Sequence, residues 1–164
     1  MSDASADLHP DVAALAHLLG TWSGHGAGSY PTIEPFEYDE TITFGHVGKP
    51  FLSYGQRTTR SDNGLPSHAE LGYLRSDGTS AVELILAHPT GLTELCEGTI
   101  DGPTITLRSI SVVGSSTAKP VRAVERQLTV EGDRLHYVLR MSAVGLPMTH
   151  HLEAELLRDR KSVV

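Results

Sequence analysis

The chain has 164 residues, of which 39% are hydrophobic, and it carries a formal net charge of -7 at pH 7. This length fits one ordinary domain, large enough to bury about two-thirds of the surface that the unfolded chain exposes. The acidic balance, with no long cluster of Lys or Arg to offset it, argues against nucleic acid and against an anionic membrane surface as partners. The single Cys96 excludes an internal disulfide and a cysteine-based metal site.

The N-terminal segment predicts a short tail followed by one helix. Residues 1–10 are rich in Ser, Ala and Asp and lack the apolar stretch of a secretory signal, so we expect a poorly ordered tail and a cytoplasmic protein. No window approaches the ~20 apolar residues that a membrane-spanning helix needs. Segment 11–19 then places apolar residues at helical spacing, with Pro10 in the first turn and Gly20 as the stop.

From Gly20 onward the helical period disappears, and β-branched and aromatic runs of about ten residues alternate with turn signals. The predicted strands are 21–30, 36–46, 51–60, 68–76, 80–87, 91–100, 104–112, 121–130, 134–143 and 148–157. Tight turns such as Asp101-Gly102 separate them, which predicts sequential antiparallel hairpins. A sheet of this kind loses its two exposed edges by closing on itself. We therefore expect an all-β fold in a single domain over residues 11–160: a ten-stranded antiparallel up-and-down β-barrel with a short N-terminal helix and a lumen wide enough for a small ligand.

The first strand carries an unusual run of glycines around Trp22, at positions Gly20, Gly24, Gly26 and Gly28. Glycine weakens a strand, so such a run marks either a sharp coiling of the strand or a place where another group approaches the backbone closely. It is not a phosphate-binding loop, because no GxxxxGK[ST] pattern follows and no helix begins there.

Nine histidines stand in the chain, but they form no recognisable metal pattern. There is no HExxH and no Cys/His zinc spacing, and His25, His68, His88 and His136 have no spaced partner. There is also no GxSxG, so serine hydrolase chemistry has no support. A single neutral imidazole is still sufficient as an axial haem ligand. From the residues alone, the prediction stops at a barrel with one ligand at its mouth.

Three segments together resemble the nitrobindin family. They are LLGTWSGHGAGSYPTI at 18–33, HVGKPF at 46–51 and MTHHLEA at 148–154, and they occur in this order across nearly the whole domain. The resemblance implies a barrel that holds one b-type haem per chain near one opening, rests in the ferric state, binds nitric oxide and isomerises peroxynitrite to nitrate. With it we expect a monomer or a homodimer.

The resemblance also implies roles for single residues. His151 matches the proximal iron ligand of the family's H-L-x-A segment, and His46, in the H-V-G-K-P segment, matches a distal histidine, so these two are the candidate catalytic residues. Met141, ten residues before His151, matches a distal methionine. Thr32 is a further expected haem contact, and Lys119 is expected to offer charge to a haem propionate.

The choice between His150 and His151 stays open at the level of sequence. Strict alternation along the last strand places His150 on the face of Leu152 and Ala154, whereas His151 shares its face with Glu153. Alternation therefore favours His150, and the family motif favours His151. A β-bulge or the open mouth of the barrel would shift the alternation in favour of His151.

Two other functions remain alternatives. One is a nitric-oxide sensor or store without turnover. The other is a carrier of a fatty acid or another small apolar ligand, since fatty-acid-binding proteins and lipocalins have a similar outline. A carrier of carboxylated lipids needs cationic and hydroxyl groups deep in the lumen, and Arg140 and Tyr137 are the candidates for that role.

Overall fold

The computed structural model describes residues 6–160 as one 3₁₀ helix, Pro10–Leu18, followed by ten β-strands. The strands are β1 (Gly20–Tyr30), β2 (Ile33–Gly45), β3 (Phe51–Arg60), β4 (Pro66–Ser76), β5 (Ala81–His88), β6 (Leu92–Asp101), β7 (Thr104–Gly114), β8 (Val121–Glu131), β9 (Arg134–Ala143) and β10 (Thr149–Arg158). Of the tail predicted over residues 1–10, residues 1–5 lie outside the described residues.

The ten strands form a closed antiparallel barrel in which each strand pairs with its neighbours in sequence. Strand β1 completes the ring by pairing with both β2 and β10, so that Gly26 lies opposite Tyr38 on one side and Ala154 on the other. Every strand therefore has two partners, and the ring of ten strands is closed. This arrangement confirms the fold predicted from the run of turn signals.

The 3₁₀ helix closes one end of the barrel. Val12, Leu15 and Leu18 are fully buried at a spacing of three residues, which suits a helix of three residues per turn. The Trp22 Nε1 donates to the Leu18 carbonyl oxygen at 2.8 Å, and the Arg158 guanidinium stacks 4.2 Å from the centroid of the Trp22 ring. These contacts join the helix to the first and last strands. Among the described residues, no helix is long and apolar enough to cross a membrane.

The glycines of β1 make room for aromatic rings inside the barrel. A Cβ at Gly26 would lie 2.7 Å from the Cβ of Ala154 and closer still to the Tyr38 ring, and a Cβ at Gly28 would overlap the Phe36 ring. The glycine run therefore marks a close approach to the backbone, which is one of the two interpretations that the sequence allowed.

Replacement of Gly26 should destabilise the barrel because the Tyr38 ring and β10 must move to accept a methyl group. We expect Gly26→Ala to lower the free energy of unfolding by about 1 to 3 kcal/mol, measured by urea denaturation. Gly55→Ala is the matched control, since its Cβ would meet the Leu71 Cδ2 at 3.4 Å, an ordinary contact. The control should unfold at the wild-type urea concentration or slightly above it. Equal stability of the two variants would contradict this account of the glycine run.

Candidate functional site

The end of the barrel opposite the 3₁₀ helix opens into a cavity of about 460 Å³. An outer space of about 540 Å³ shares several of the same lining residues. The exposed surface of the wall is mainly apolar, and the apolar side chains that line it are Ile33, Phe36, Leu92, Val112, Val121, Val124, Leu139, Met141 and Leu152. The charged and imidazole groups of the lining are His68, Glu70, His88, Glu94, Lys119, Arg126 and His151. A largely apolar cavity with a few convergent polar groups is typical of a small-molecule site.

A β-bulge in β10 decides which of the two adjacent histidines enters the cavity. His150 pairs with Arg140 and Leu152 pairs with Leu139, so His151 is the extra residue between two regular pairs. The bulge directs His151 into the cavity and leaves His150 exposed on the outer face, where it lines a groove with Glu153. Regular alternation predicts the opposite orientation, and it fails here because the bulge shifts the register by one residue.

The His151 imidazole is held by its neighbours with one nitrogen free. Its Nδ1 lies 3.0 Å from the Ser29 carbonyl oxygen, and because a carbonyl only accepts, Nδ1 carries the proton. The Tyr30 and Phe36 rings pack against the imidazole with centroid distances of 5.5 and 6.4 Å. Burial lowers the pKa of His151 below its usual value, against the opposing effect of the Ser29 hydrogen bond. The neutral ring therefore keeps its Nε2 lone pair available for a metal.

Three further residues named from the sequence lie at this cavity. Met141 and Lys119 line both the cavity and the outer space, and Thr32 lines the outer space from the turn between β1 and β2. The Tyr30 hydroxyl donates to the carbonyl oxygen of Met141 at 3.2 Å and accepts from the Ala143 backbone N–H at 3.0 Å. This contact fixes the end of β9 beside the His151 side chain.

The structure does not bring His46 to the cavity. His46 follows the last residue of β2, and the preceding Phe44 pairs with Gly20 at the end of the barrel closed by the 3₁₀ helix. Its Nδ1 accepts a hydrogen bond from the Gly48 backbone N–H at 3.1 Å. The expected distal position of His46 is therefore corrected, because the full length of β2 separates it from the end where His151 lies.

Sequence reasoning missed a cluster of charged residues in the cavity, which we call the floor cluster: Glu70, Glu94 and Arg126. The Arg126 guanidinium binds Glu70 at 3.1 Å and Glu94 at 2.9 Å. Burial opposes ionisation of Glu94, but the charge of Arg126 and the hydrogen bonds that Glu94 accepts outweigh it and hold its pKa at about 2. The sequence did carry a signal for this cluster. Each of the strands β4, β6 and β8 has one charged residue at a position that faces the apolar interior.

His68 and His88, which carry no spaced partner in the sequence, meet beside the floor cluster. The His88 Nδ1 lies 3.3 Å from the His68 Nε2, and the His88 Nε2 lies 3.0 Å from a Glu94 carboxylate oxygen. Strands β4 and β5 are adjacent and antiparallel, with Leu71 opposite Ala87, so residues 20 positions apart come into contact. The pairing of strands creates a contact that spacing along one strand does not reveal.

The residues proposed for a lipid carrier are not placed for that role. Arg140 is exposed on the outer face, where it pairs with Glu125 at 3.4 Å. Tyr137 is buried and donates to Glu40 at 2.7 Å. The Arg126 guanidinium at the floor of the lumen is already bound by two carboxylates, so it is not free to bind the carboxylate of a lipid.

A buried carboxyl group, Glu40, lies on the inward face of β2 behind the cavity. It accepts hydrogen bonds from the Gln56 amide and from the Tyr137 hydroxyl, which also lies 2.7 Å from the Tyr38 hydroxyl. Burial raises the pKa of Glu40 to about 7, although both hydrogen bonds oppose that shift. The Glu40 carboxyl group in the folded protein therefore stays protonated at pH values well above those at which an exposed Glu loses its proton.

Glu40 should make the stability of the protein fall with rising pH. The folded chain keeps the proton up to about pH 7, whereas the unfolded chain releases it near 4.5, so the free energy of unfolding decreases between these values. We expect the free energy of unfolding, measured by urea denaturation, to fall between about pH 5 and about pH 8. The fall should be roughly 2 to 3 kcal/mol larger in the wild type than in Glu40→Gln. The same pH dependence in both proteins would contradict a proton held by Glu40.

Comparison with known proteins agrees with this geometry. A sequence profile described as "THAP4-like, heme-binding beta-barrel domain" matches residues 11–158. A peroxynitrite isomerase from Nocardia farcinica is 57% identical over 159 residues, which cover 94% of this chain and 95% of that protein. Peroxynitrite isomerase 2 from Mycobacterium ulcerans is 55% identical over 157 residues, or 93% of this chain and 98% of that protein.

A solved structure has the same fold. The crystal structure of Rv2717c from M. tuberculosis superimposes with a TM-score of 0.89 at 49% identity, and the match covers 94% of this chain and 100% of that one. The profile match, the identity and the shared architecture extend over almost the whole chain. This chain therefore belongs to the THAP4-like, haem-binding β-barrel family, the nitrobindin family.

Proposed function

We propose that this chain binds one b-type haem in the cavity, with the His151 Nε2 as axial iron ligand, and that the loaded protein isomerises peroxynitrite to nitrate. The observation that carries the proposal is the inward His151 imidazole, whose Nδ1 is occupied by the Ser29 carbonyl oxygen at 3.0 Å. A histidine that ligates a metal almost always donates its other ring N–H in this way.

The residues around His151 fit a haem. The apolar side chains of the wall would suit the flat apolar faces of a porphyrin, and the opening of the cavity would let its charged propionate groups reach solvent. Lys119, exposed at the rim, is a suitable partner for a propionate, and Met141 and Thr32 complete the surroundings. We leave His46 out of the site because of its position at the other end of the barrel.

The reaction is proposed from the relatives and from the chemistry of the site together. The proteins that are 57% and 55% identical to this chain carry the name peroxynitrite isomerase. A haem held by His151 would supply the iron chemistry that converts peroxynitrite to nitrate. The chain itself supplies the His151 ligand, the apolar wall that excludes bulk water, and the cationic Lys119 near the path of an anionic substrate.

A haem held by His151 would also be able to bind nitric oxide, which we propose as a second small-molecule ligand. The chain's single cysteine, Cys96, is buried as a free thiol and is compatible with a cytoplasmic location, which we also propose. For the assembly, a monomer or a homodimer remains our proposal.

Removal of the axial ligand should abolish specific haem binding. We expect His151→Ala to lose the saturable Soret band on titration with hemin, because the cavity then lacks its metal-binding nitrogen. Circular dichroism should still show the β-rich wild-type spectrum. His150→Ala is the matched control, since it removes the adjacent imidazole from the outer face and should leave the titration unchanged. Unchanged haem binding in His151→Ala would reject the ligand assignment.

The isomerase activity is tested by the decay of peroxynitrite in a stopped-flow spectrophotometer. The haem-loaded wild type should accelerate the decay in proportion to its concentration and yield nitrate, and His151→Ala treated with the same hemin should not. Nitric oxide binding without faster peroxynitrite decay would instead favour a sensor or store. A chain that refuses hemin but binds a fatty acid would favour the carrier.

A further inference from the structure

Two phenols and one carboxylate form a chain of hydrogen bonds behind the cavity: Tyr38, Tyr137 and Glu40. The Tyr137 hydroxyl donates to a Glu40 carboxylate oxygen at 2.7 Å. Because a hydroxyl has a single proton to donate, the 2.7 Å bond between the two phenols then has Tyr38 as its donor. The three residues are 2%, 8% and 3% exposed, so the chain of hydrogen bonds is shielded from bulk water.

This geometry suits the one-electron oxidation of Tyr137. A phenol that loses an electron becomes a strong acid, so its proton leaves with the electron and needs a base within hydrogen-bond reach. Burial raises the pKa of both Tyr38 and Tyr137, so each phenol keeps its proton before oxidation. Glu40 lies at the distance that is required to receive the Tyr137 proton.

The strength of the base distinguishes Tyr137 from another buried phenol, Tyr54. Tyr54 donates to a Glu70 carboxylate oxygen at 2.9 Å, which is a similar contact. Burial opposes ionisation of Glu70, but the charge of Arg126 and the hydrogen bonds that Glu70 accepts outweigh it and hold its pKa well below its usual value. Burial instead raises the pKa of Glu40 to about 7. Glu40 is therefore a much stronger proton acceptor than Glu70.

Tyr38 connects this chain of hydrogen bonds to the cavity. Its side chain lines the cavity, and the Tyr137 hydroxyl lies one 2.7 Å hydrogen bond behind it. A small oxidant inside the cavity therefore meets the Tyr38 side chain, and electron transfer from Tyr137 has only one short contact to cross. Peroxynitrite chemistry is a source of such an oxidant, because homolysis of the O–O bond of peroxynitrous acid releases nitrogen dioxide.

We propose that Tyr137 is a redox-active residue that reduces nitrogen dioxide in the cavity to nitrite. One electron passes from Tyr137 through Tyr38 to nitrogen dioxide, and the Tyr137 hydroxyl proton passes to the Glu40 carboxylate. The products are nitrite, a neutral tyrosyl radical and a protonated Glu40, so atoms and charge balance. The proposal rests on the proposed function only for the source of the nitrogen dioxide.

The test is pulse radiolysis of the full-length, haem-free chain in nitrite solution at about pH 8, where Glu40 is ionised. Radiolysis generates nitrogen dioxide, and the tyrosyl radical is followed by its transient absorbance and by electron paramagnetic resonance after freeze-quenching. Every protein carries Tyr73→Phe, which removes a half-exposed phenol from direct attack. We expect a tyrosyl radical in this parent, and a yield at least about 10-fold lower when Tyr137→Phe or Glu40→Gln is added.

Two comparisons separate a redox role from a structural one. Tyr54→Phe removes the phenol that is bound to the weakly basic Glu70, and it should leave the radical yield unchanged. Glu40→Gln keeps both phenols, so it tests the base even where Tyr137→Phe impairs folding, which circular dichroism reports.

Three results would overturn the redox role of Tyr137. They are the parent yield in Tyr137→Phe or Glu40→Gln, a loss of yield in Tyr54→Phe, and the absence of a tyrosyl radical in the parent. Because the chain is tested without haem, a failure to bind hemin leaves the result of this experiment intact. The redox role and the proposed function therefore fail independently.

Discussion

The orientation of one imidazole is the constraint on which the functional account depends. The β-bulge in β10 turns His151 inward, and the Ser29 carbonyl oxygen of β1 then fixes the tautomer by accepting from Nδ1. Because β1 and β10 are neighbours only in a closed barrel, this hydrogen bond exists only when the first and last strands pair. Closure of the sheet therefore also orients the imidazole nitrogen that we propose as the iron ligand.

The barrel divides its interior into a packed half and a functional half. At one end, the 3₁₀ helix and Trp22 fill the lumen with apolar side chains. At the other, ion pairs hold the floor cluster of Glu70, Glu94 and Arg126 together, while the apolar wall stays open to a ligand. A buried ion cluster of this kind is costly to disrupt, because loss of one partner leaves the others unpaired at low dielectric.

Much of the fold could be predicted from the sequence, because hairpin turns and period-two patterns act over short distances. The cavity could not, because its polar residues come from several different strands and meet across the lumen. His68 and His88 illustrate this, since they lie on neighbouring strands and come into contact only when β4 pairs with β5. The family motif favoured His151 and regular alternation favoured His150, and the bulge in β10 turns His151 toward the cavity. The motif gave His46 the wrong location, because a match in sequence does not state which end of the barrel a loop occupies.

The most direct test of the central claim is a crystal structure of the haem-loaded chain. The account predicts one haem in the cavity, with the His151 Nε2 within bonding distance of the iron and its Nδ1 still bound to the Ser29 carbonyl oxygen. Iron ligated by His150, His68 or His88, or a haem held outside the cavity, would contradict it.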